Sequence, residues 1–289
     1  MDQRILLLWR DHEEEILDPT QALSALVECF GETDSEIRDE LGYTIFSQLM
    51  AKAALPMGTL AALLERLISG GQAFFHIGET ADAAVLRRSF AWLGVAAVLE
   101  RDQANPAPEL SAGDLDRVME ALRRYLDQEI DWRGYHEAWG WIHAGAHVAD
   151  AAAALTRHPN LTMASRTLLT AAAWQFISRP LPWLNEEMDR WAWVFFCLIE
   201  QDANSDEVDI HLNRFLVSRT RDVNTHRATQ NVKSVLYTLY FLLRWSSHRI
   251  DELQRSRWLA RIEQRIAYCD IFVVSGYLTP PREFNGTSP

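Results

Sequence analysis

Lysine is nearly absent from this chain of 289 residues, which carries only Lys52 and Lys233. Acidic residues outnumber basic ones by 40 to 28, so the formal net charge is −12. A protein that binds nucleic acid normally presents a basic surface to the phosphates. The composition therefore argues against nucleic acid as a partner. Arginine supplies almost all of the positive charge, and it suits fixed pairing with carboxylates.

Cysteine and long apolar runs are also scarce. Cys29, Cys197 and Cys269 are scattered and lack the short spacing of a metal knuckle or redox pair, which favours a reducing, cytoplasmic setting. The apolar runs that begin at Ile5 and Trp191 are too short to cross a bilayer. We therefore expect a cytoplasmic protein with no membrane partner and no signal peptide.

Strand signals are nearly absent, whereas apolar residues recur at helical spacing along almost the whole chain. This pattern predicts an all-α fold of stacked antiparallel helix pairs, either an open α-solenoid (an α-α superhelix) or a closed α/α toroid. We expect residues 1–271 to form a single helical domain and residues 272–289 a C-terminal tail, partly docked or disordered. The sequence leaves open the choice between the two architectures and the oligomeric state.

Two helix starts are predicted by capping boxes, in which a hydroxyl side chain precedes an acidic one by three residues. The first box spans residues 33–36 and opens a long amphipathic run. The second spans residues 111–114 and opens another run of similar character.

The densest polar segment is DWRGYHEAWGWIHAGAHVAD, residues 131–150, with three histidines and three tryptophans. If a helix runs from Tyr135 onward, His143, His147 and Asp150 lie at i, i+4 and i+7 and share one stripe. So many tryptophans in a short segment indicate an enclosed helix. Enclosed imidazole and carboxylate groups need partners, since burying them alone costs a few kcal/mol.

Three interpretations of this stripe remain open: a buried polar network that only supports the fold, a non-metal ligand or catalytic site, and a metal site. His143 and His147, one turn apart, form a good metal-binding pair, and Asp150 would add a ligand or orient an imidazole. Three side chains of one helix seldom converge on one ion, so another element would supply a further ligand. The candidates for that ligand are His76, Glu186, Glu187 and Asp189.

Arginines near this segment suggest ion pairing. Arg133 precedes the predicted helix, and Glu187 and Arg190 lie one turn apart on another predicted helix. Arginine binds carboxylates in a fixed, bidentate geometry, so these residues predict an ion-pair lattice between helices. If the segment is a ligand site instead, Arg133 or Arg190 would hold an anionic group.

The segment EIDWRGYHEAWGWIHAGAHVAD resembles the bacterial domain-of-unknown-function family 2785 (DUF2785), whose central pattern is an acid, then RGY, GW, H, AH and a second acid. Further similar stretches follow in order over most of the chain: EIRDELGYTIF, RRSFAWL, NEEMDRWAW and NVKSVLYTLYFLLRW. The resemblance implies a set of site residues but no reaction, because the family has no assigned activity. The matching positions are Arg88, Ser89, Phe90, Arg133, Gly134, Tyr135, Gly140, Trp141, His143, His147, Asp150, Glu187 and Arg190.

Two functions of different classes fit the sequence. In the first, a partly buried His/Asp/Arg pocket binds a small anionic ligand or a divalent metal and acts catalytically, with His143 or His147 as base or metal ligand and Asp150 orienting it. The residues expected to bind the ligand are Arg88, Arg133, Tyr135, Trp141, Glu187 and Arg190. In the second, the chain is a helical-repeat scaffold for a protein partner, and the cluster is purely structural. A subunit that works through an oligomer interface is a third interpretation.

Overall fold

The computed structural model of the chain describes residues 2–12, 15–80, 82–201, 208, 210–212, 222–274 and 276–279. The prediction of an all-α fold is confirmed, because the extended structure within these residues is limited to one short hairpin. Across the same ranges, no helix combines the length and the apolar character needed to span a membrane. The chain divides into a first compact unit, Met1–Leu169 with Trp183–Glu187, and a second, Thr170–Pro182 with Met188–Pro289.

Connections of varied length join the helices of the first unit. They are α1 (Gln3–Asp11), α2 (Pro19–Cys29), a π-helical segment (Glu36–Tyr43), α3 (Thr44–Lys52), α4 (Thr59–Leu67), α5 (Ala84–Gln103), α6 (Ala112–Gln128) and α7 (Ala144–Arg157). Strands β1 (Tyr135–His136) and β2 (Gly140–Trp141) form an antiparallel hairpin between α6 and α7. Helices α8 (Met163–Ile177) and α9 (Glu187–Glu200) contribute residues to both units. The second unit also holds α10 (Val223–Trp245), α11 (Glu252–Cys269) and the short α12 (Ile271–Val274).

The core of the first unit is built around α5 and α7, which pack against each other more extensively than any other described pair of elements. Twelve of the fourteen residues of α7 are buried, and most of them are alanines. Small side chains let neighbouring helices approach closely, so this helix is enclosed on nearly every side. A polar side chain on α7 therefore needs a specific partner.

The second unit has its own aromatic core, in which Trp174 packs against Phe195 with ring centroids 4.8 Å apart. Trp191 and Trp258 are also buried there. In the same unit α10 packs along α11. Burial of these large rings supplies apolar contact area within this unit.

One of the two predicted capping boxes forms. Ser111 accepts a hydrogen bond from the Asp114 amide at 3.2 Å, and the Asp114 carboxylate accepts one from the Ser111 amide at 2.8 Å. At the other start, the Asp34 side chain accepts from the Glu36 amide at 2.9 Å and the chain enters a π-helical segment. An aspartate that bonds two residues ahead satisfies the first turn without a capping box.

The prediction that one helix runs from Tyr135 onward is wrong. Residues 135–141 form the hairpin, in which Tyr135 pairs with Trp141 and His136 with Gly140, and α7 begins only at Ala144. Gly140 has φ of +73°, a left-handed conformation that breaks a helix and that glycine adopts without strain. The Gly134 carbonyl then accepts bonds from the amides of residues 142 and 143 at 2.9 and 3.0 Å, which closes the hairpin.

The predicted C-terminal tail is described in part. Tyr277 and Leu278 are exposed, with 80% and 58% of their surface accessible. Residues 280–289 lie outside the described residues, so the expectation of a docked or disordered tail stays a prediction, as does the choice between solenoid and toroid.

Candidate functional site

His143 and His147 lie together at the start of α7, with ring centroids 5.5 Å apart and planes tilted by 56°. His147 is inside the helix, whereas His143 is its N-cap residue, with a left-handed backbone at φ 51° and ψ 35°. The His143 carbonyl accepts the His147 amide at 2.9 Å, so the spacing of four residues still places one ring near the other. Left-handed backbone is uncommon outside glycine, and such outliers cluster at functional sites.

Ser89 on α5 fixes the ring of His147. The Ser89 hydroxyl donates to the Ile142 carbonyl at 2.6 Å, and its oxygen lies 2.9 Å from Nδ1 of His147. A serine hydroxyl has one proton, and the carbonyl takes it, so Nδ1 must be the donor in the second bond. Because both Ser89 and Ile142 are fully buried, these two hydrogen bonds hold the His147 imidazole from the interior of the protein.

Aromatic rings frame the two imidazoles. Phe90 packs edge-on against His147 at 4.8 Å, and Trp141 stacks on His143 at 4.6 Å with nearly parallel planes. Phe90 is buried, whereas Trp141 is 46% exposed. The cluster is therefore closed on the side of α5 and reaches solvent on the side of the hairpin.

Tyr43 and Asp150 add a phenol and a carboxylate, and both residues are half-buried. Burial and the negative charge of Asp150 raise the pKa of Tyr43 well above its ordinary value, so its hydroxyl remains a hydrogen-bond donor. Tyr43 also packs edge-on against Phe90 at 6.4 Å. We call Tyr43, Trp141, His143, His147 and Asp150 the histidine face.

Arg38 anchors the hairpin that carries Trp141. Its guanidinium is fully buried and donates to the carbonyl oxygens of Trp139 and Trp141 at 2.8 and 3.2 Å. It also pairs with Asp39 at 2.8 Å and lies 5.0 Å from the Phe90 ring centroid. Burial lowers the pKa of Arg38, and the charge of Asp39 opposes that effect. The buried charge therefore holds the second strand of the hairpin on either side of Gly140.

A second polar cluster lies beside the first and is closed. Arg88, next to Ser89 on α5, forms a bidentate pair with Glu129 at 2.6 and 3.1 Å, and both side chains are fully buried. Burial opposes the charge of Arg88, but the hydrogen bonds and charge of Glu129 outweigh it and raise the pKa of the guanidinium. Arg88 also donates to carbonyls of residues 75, 76 and 79.

Arg133 joins this cluster at its edge, with 30% of its side chain exposed. It forms a bidentate pair with the buried Asp131 at 2.7 and 2.5 Å and donates to the Asp82 carbonyl at 3.1 Å. Its guanidinium also lies 5.2 Å from the ring centroid of Trp139. We call Arg88, Glu129, Asp131 and Arg133 the arginine clamp.

Glu187 joins the region from the start of α9. It is 1% exposed, and its carboxylate accepts the amides of Leu184 and Asn185 at 3.1 and 2.6 Å. A Cβ on Gly134 would lie 2.7 Å from Glu187, and one on Gly145 would lie 3.2 Å from it. The two glycines are therefore needed because the glutamate occupies that space.

The other predicted binding residues lie at the surface. Tyr135 is 49% exposed and packs edge-on against Trp141 at 5.0 Å. Arg190 is exposed and belongs to the second unit. The predicted set thus separates into the histidine face, the arginine clamp, Glu187 beside two glycines, and these surface positions.

Within the described residues, one group of three side chains brings its ligand atoms within 4.8 Å of one another, as metal binding requires: His76, Glu79 and Asp82. Nδ1 of His76 lies 3.4 Å from Glu79 and 3.8 Å from Asp82. Polar contacts between the imidazole and the two carboxylates explain the same arrangement without an ion. His76, one of the candidate further ligands for His143 and His147, lies with these acids on the loop before α5.

Sequence analysis missed the roles of three residues, Arg38, Tyr43 and Ser89. Ser89 was noted only for its family resemblance, and the other two only within EIRDELGYTIF. A signal for Arg38 existed, because it shares a helical stripe with the buried residues Leu41 and Ile45. A charged residue on an apolar stripe indicates a buried ion that needs partners.

The fold and the site together define a class: an all-α protein in which a short hairpin leads into a buried helix, with one histidine as the N-cap residue and a second in the first turn. The chain belongs to the family described as "Protein of unknown function (DUF2785)", which matches residues 73–241. The resemblance seen in the sequence is thereby confirmed. The match includes the arginine clamp, His143, His147 and Asp150, whereas Arg38 and Tyr43 precede it. No curated protein and no solved structure matches the chain.

Proposed function

We propose that this protein binds a small polar molecule on the histidine face and that His147 serves there as a hydrogen-bond acceptor or general base. The observation that carries the proposal is the contact between Nδ1 of His147 and Ser89 at 2.9 Å. Because Nδ1 is the donor in that contact, the lone pair of the neutral ring resides on Nε2. A base whose other nitrogen is held by a buried partner is oriented before any substrate arrives.

The surrounding groups supply complementary chemistry. Tyr43 offers a hydroxyl that stays protonated, and Asp150 offers a carboxylate. The nearby guanidinium groups of Arg38, Arg88 and Arg133 are bound to carboxylates of the protein. Positive charge for an anionic ligand would therefore come from imidazolium groups, and a neutral hydrogen-bonding ligand needs none.

Ligand-observed NMR on the full chain tests the proposal, with matched pairs of fragments that consist of carboxylic acids and the corresponding primary amides. We expect saturable binding to the wild-type protein and at least tenfold weaker binding to His147→Ala. His226→Ala, on the exposed surface of α10, is the control and should bind like the wild type. Equal binding to wild type and His147→Ala, or no binding by either set, contradicts the proposal. The better-bound set shows whether the ligand is anionic.

A divalent metal on His143 and His147 is a second candidate, favoured by the 5.5 Å spacing of their ring centroids. With zinc–nitrogen bonds of about 2.0–2.1 Å and a tetrahedral angle, two ligating rings have centroids roughly 5 Å apart. Elemental analysis of tag-free protein and titration with Co²⁺ test this candidate. His143→Ala and His147→Ala should each abolish binding, whereas His76→Ala should retain it. Metal binding that persists in the first two variants would assign the ion to another place.

A further inference from the structure

The second unit contains a cavity of about 660 Å³, a size typical of small-molecule sites. Its deeper wall carries the buried residues Trp174 and Thr229, and Ala171 and Ala228 keep that wall open. Its outer edge carries Gln175, Ser178 and Asn224, all exposed. The cavity thus combines an aromatic interior with a neutral polar rim.

The part of this lining that the structure describes has no permanently charged side chain. Among the described residues that surround the cavity, none has a carboxylate, ammonium or guanidinium group, and His211 is the one titratable side chain. An ion moved out of water into such a place would lose its hydration without gaining a counter-charge. The lining therefore favours an uncharged ligand.

The hydrogen bonds of the lining specify the ligand further. The hydroxyl of Thr229 donates to the Thr225 carbonyl at 2.9 Å, and the hydroxyl of Thr225 donates to Asp222 at 2.8 Å. Each hydroxyl already donates its proton within the protein, so both oxygens can only accept hydrogen bonds from a ligand. Trp174, by contrast, is a donor: its Nε1–H is buried and has no acceptor among the described residues. A buried donor without an acceptor is unfavourable by about 1–3 kcal/mol, so a turn of the Trp174 ring that brought Nε1 to a ligand oxygen would be stabilising.

We infer that this cavity binds an uncharged polyhydroxylated molecule, of the size of one or two saccharide units. A hydroxyl group accepts and donates at once, which matches a wall that offers Trp174 as donor and two threonine oxygens as acceptors. The amides of Gln175 and Asn224 at the rim also provide both functions. This inference concerns residues outside the histidine face and does not depend on the function proposed for that face.

Saturation-transfer NMR and isothermal titration calorimetry on the full chain test the inference with glucose, maltose, trehalose and N-acetylglucosamine, and with glucose 6-phosphate and glucuronate as charged counterparts. We expect saturable binding of at least one neutral sugar and binding at least tenfold weaker for the two charged sugars. Trp174→Phe keeps a ring and removes the donor, so it should weaken binding of the neutral sugar at least fivefold. Asn224→Ala, on the exposed rim, should weaken it as well.

Gln230→Ala is the matched control, since residue 230 is exposed on α10 and does not line the cavity. This variant should bind like the wild type, and so should His147→Ala. The inference is overturned if no neutral sugar binds, if both Trp174→Phe and Asn224→Ala bind normally, or if charged sugars bind as tightly as neutral ones. Should Trp174→Phe fail to fold, Asn224→Ala decides the outcome alone. A loss of sugar binding in His147→Ala would place the ligand on the histidine face and also overturn the inference.

Discussion

The arginine clamp and the histidine face are both tied to α5, at consecutive residues. Arg88 belongs to the clamp, Ser89 holds His147 of the histidine face, and both side chains are fully buried. In the clamp, Arg88 and Arg133 each form a bidentate pair with a buried carboxylate and also donate to backbone carbonyls. In the histidine face, the buried side is fixed by Ser89, but Trp141 is 46% exposed and His143 and Asp150 are half-buried.

The difference fits a structural role for the arginine clamp and the binding role that we propose for the histidine face. A closed network of paired charges is stable only when complete, because removing one partner leaves the other buried without compensation. A cluster that is fixed on one side and reaches solvent on the other can hold its groups in place for a ligand. The comparison therefore predicts large losses of stability in the clamp and smaller ones in the face.

The largest effect is expected for Arg88→Ala. This change leaves Glu129 as a buried carboxylate without its bidentate partner, which should lower the free energy of unfolding by about 3–5 kcal/mol. Urea denaturation followed by circular dichroism measures the change. Arg123→Ala is the control, because the pairs of Arg123 with Glu120 and Asp127 are exposed, and it should leave the midpoint unchanged. Equal losses in the two variants would refute the structural role of the clamp.

Ser89→Ala should have a smaller effect on stability, about 1–3 kcal/mol, because it removes a partner from a buried carbonyl and from His147. The variant also frees the ring of His147, so fragment binding on the histidine face should weaken even at temperatures where the protein is fully folded. Ser47→Ala, whose hydroxyl donates within its own helix to Thr44, is the control for both measurements. Normal fragment binding in folded Ser89→Ala would show that Ser89 does not position His147.

Local sequence signals predicted the parts of the molecule that depend on neighbouring residues. The helical spacing of apolar residues gave the all-α fold, and the capping box at Ser111 gave the start of α6. The spacing of four residues brought His143 near His147 even though His143 lies outside the helix, because an N-cap carbonyl still accepts the first helical bond.

The hairpin could not be predicted in this way, because its stability comes from distant residues. Arg38 reaches the carbonyl of Trp139 across 101 positions of sequence, and Glu187 lies beside Gly134 and Gly145. Ser89 and His147 are likewise separated by 58 positions. Periodicity reports which face of an element is apolar, whereas contacts of this kind are fixed only by the packing of whole helices.

A change at Gly140 tests whether the hairpin turn requires a left-handed backbone at this position. Gly140→Ala places a side chain at φ of +73° and puts its Cβ 3.3 Å from Ser35, so unfolding should become easier by about 1–2 kcal/mol. Gly70→Ala is the matched control, since a Cβ there meets nothing within 4 Å. Thermal denaturation compares the two variants. A Gly140→Ala protein as stable as the Gly70→Ala protein would show that the turn tolerates another conformation.

His158 provides the smallest and most specific test, because this histidine belongs to a closed cluster like the clamp. Its Nε2 lies 3.0 Å from Asp102 of α5, and both side chains are fully buried. Burial, which disfavours the cation, lowers the pKa of His158 from its ordinary value of 6.5, and the bond to Asp102 only partly offsets that effect. The folded protein thus holds this imidazole neutral at a pH where the unfolded chain has begun to protonate it.

The sign of the pH dependence follows from this difference. Below about pH 6.5 the unfolded chain binds more protons at this position than the folded protein, so stability falls as the pH decreases toward the folded pKa. One such group contributes at most about 1.4 kcal/mol per pH unit. Urea denaturation at pH 7.5, 6.5 and 5.5 should show a steeper loss for the wild type than for His158→Gln, while the exposed control His226→Ala follows the wild type. If His158→Gln lost stability with falling pH as steeply as the wild type, His158 would be protonated in the folded protein as readily as in the unfolded chain. The pair of His158 and Asp102 would then not be closed in the way that Arg88 and Glu129 are.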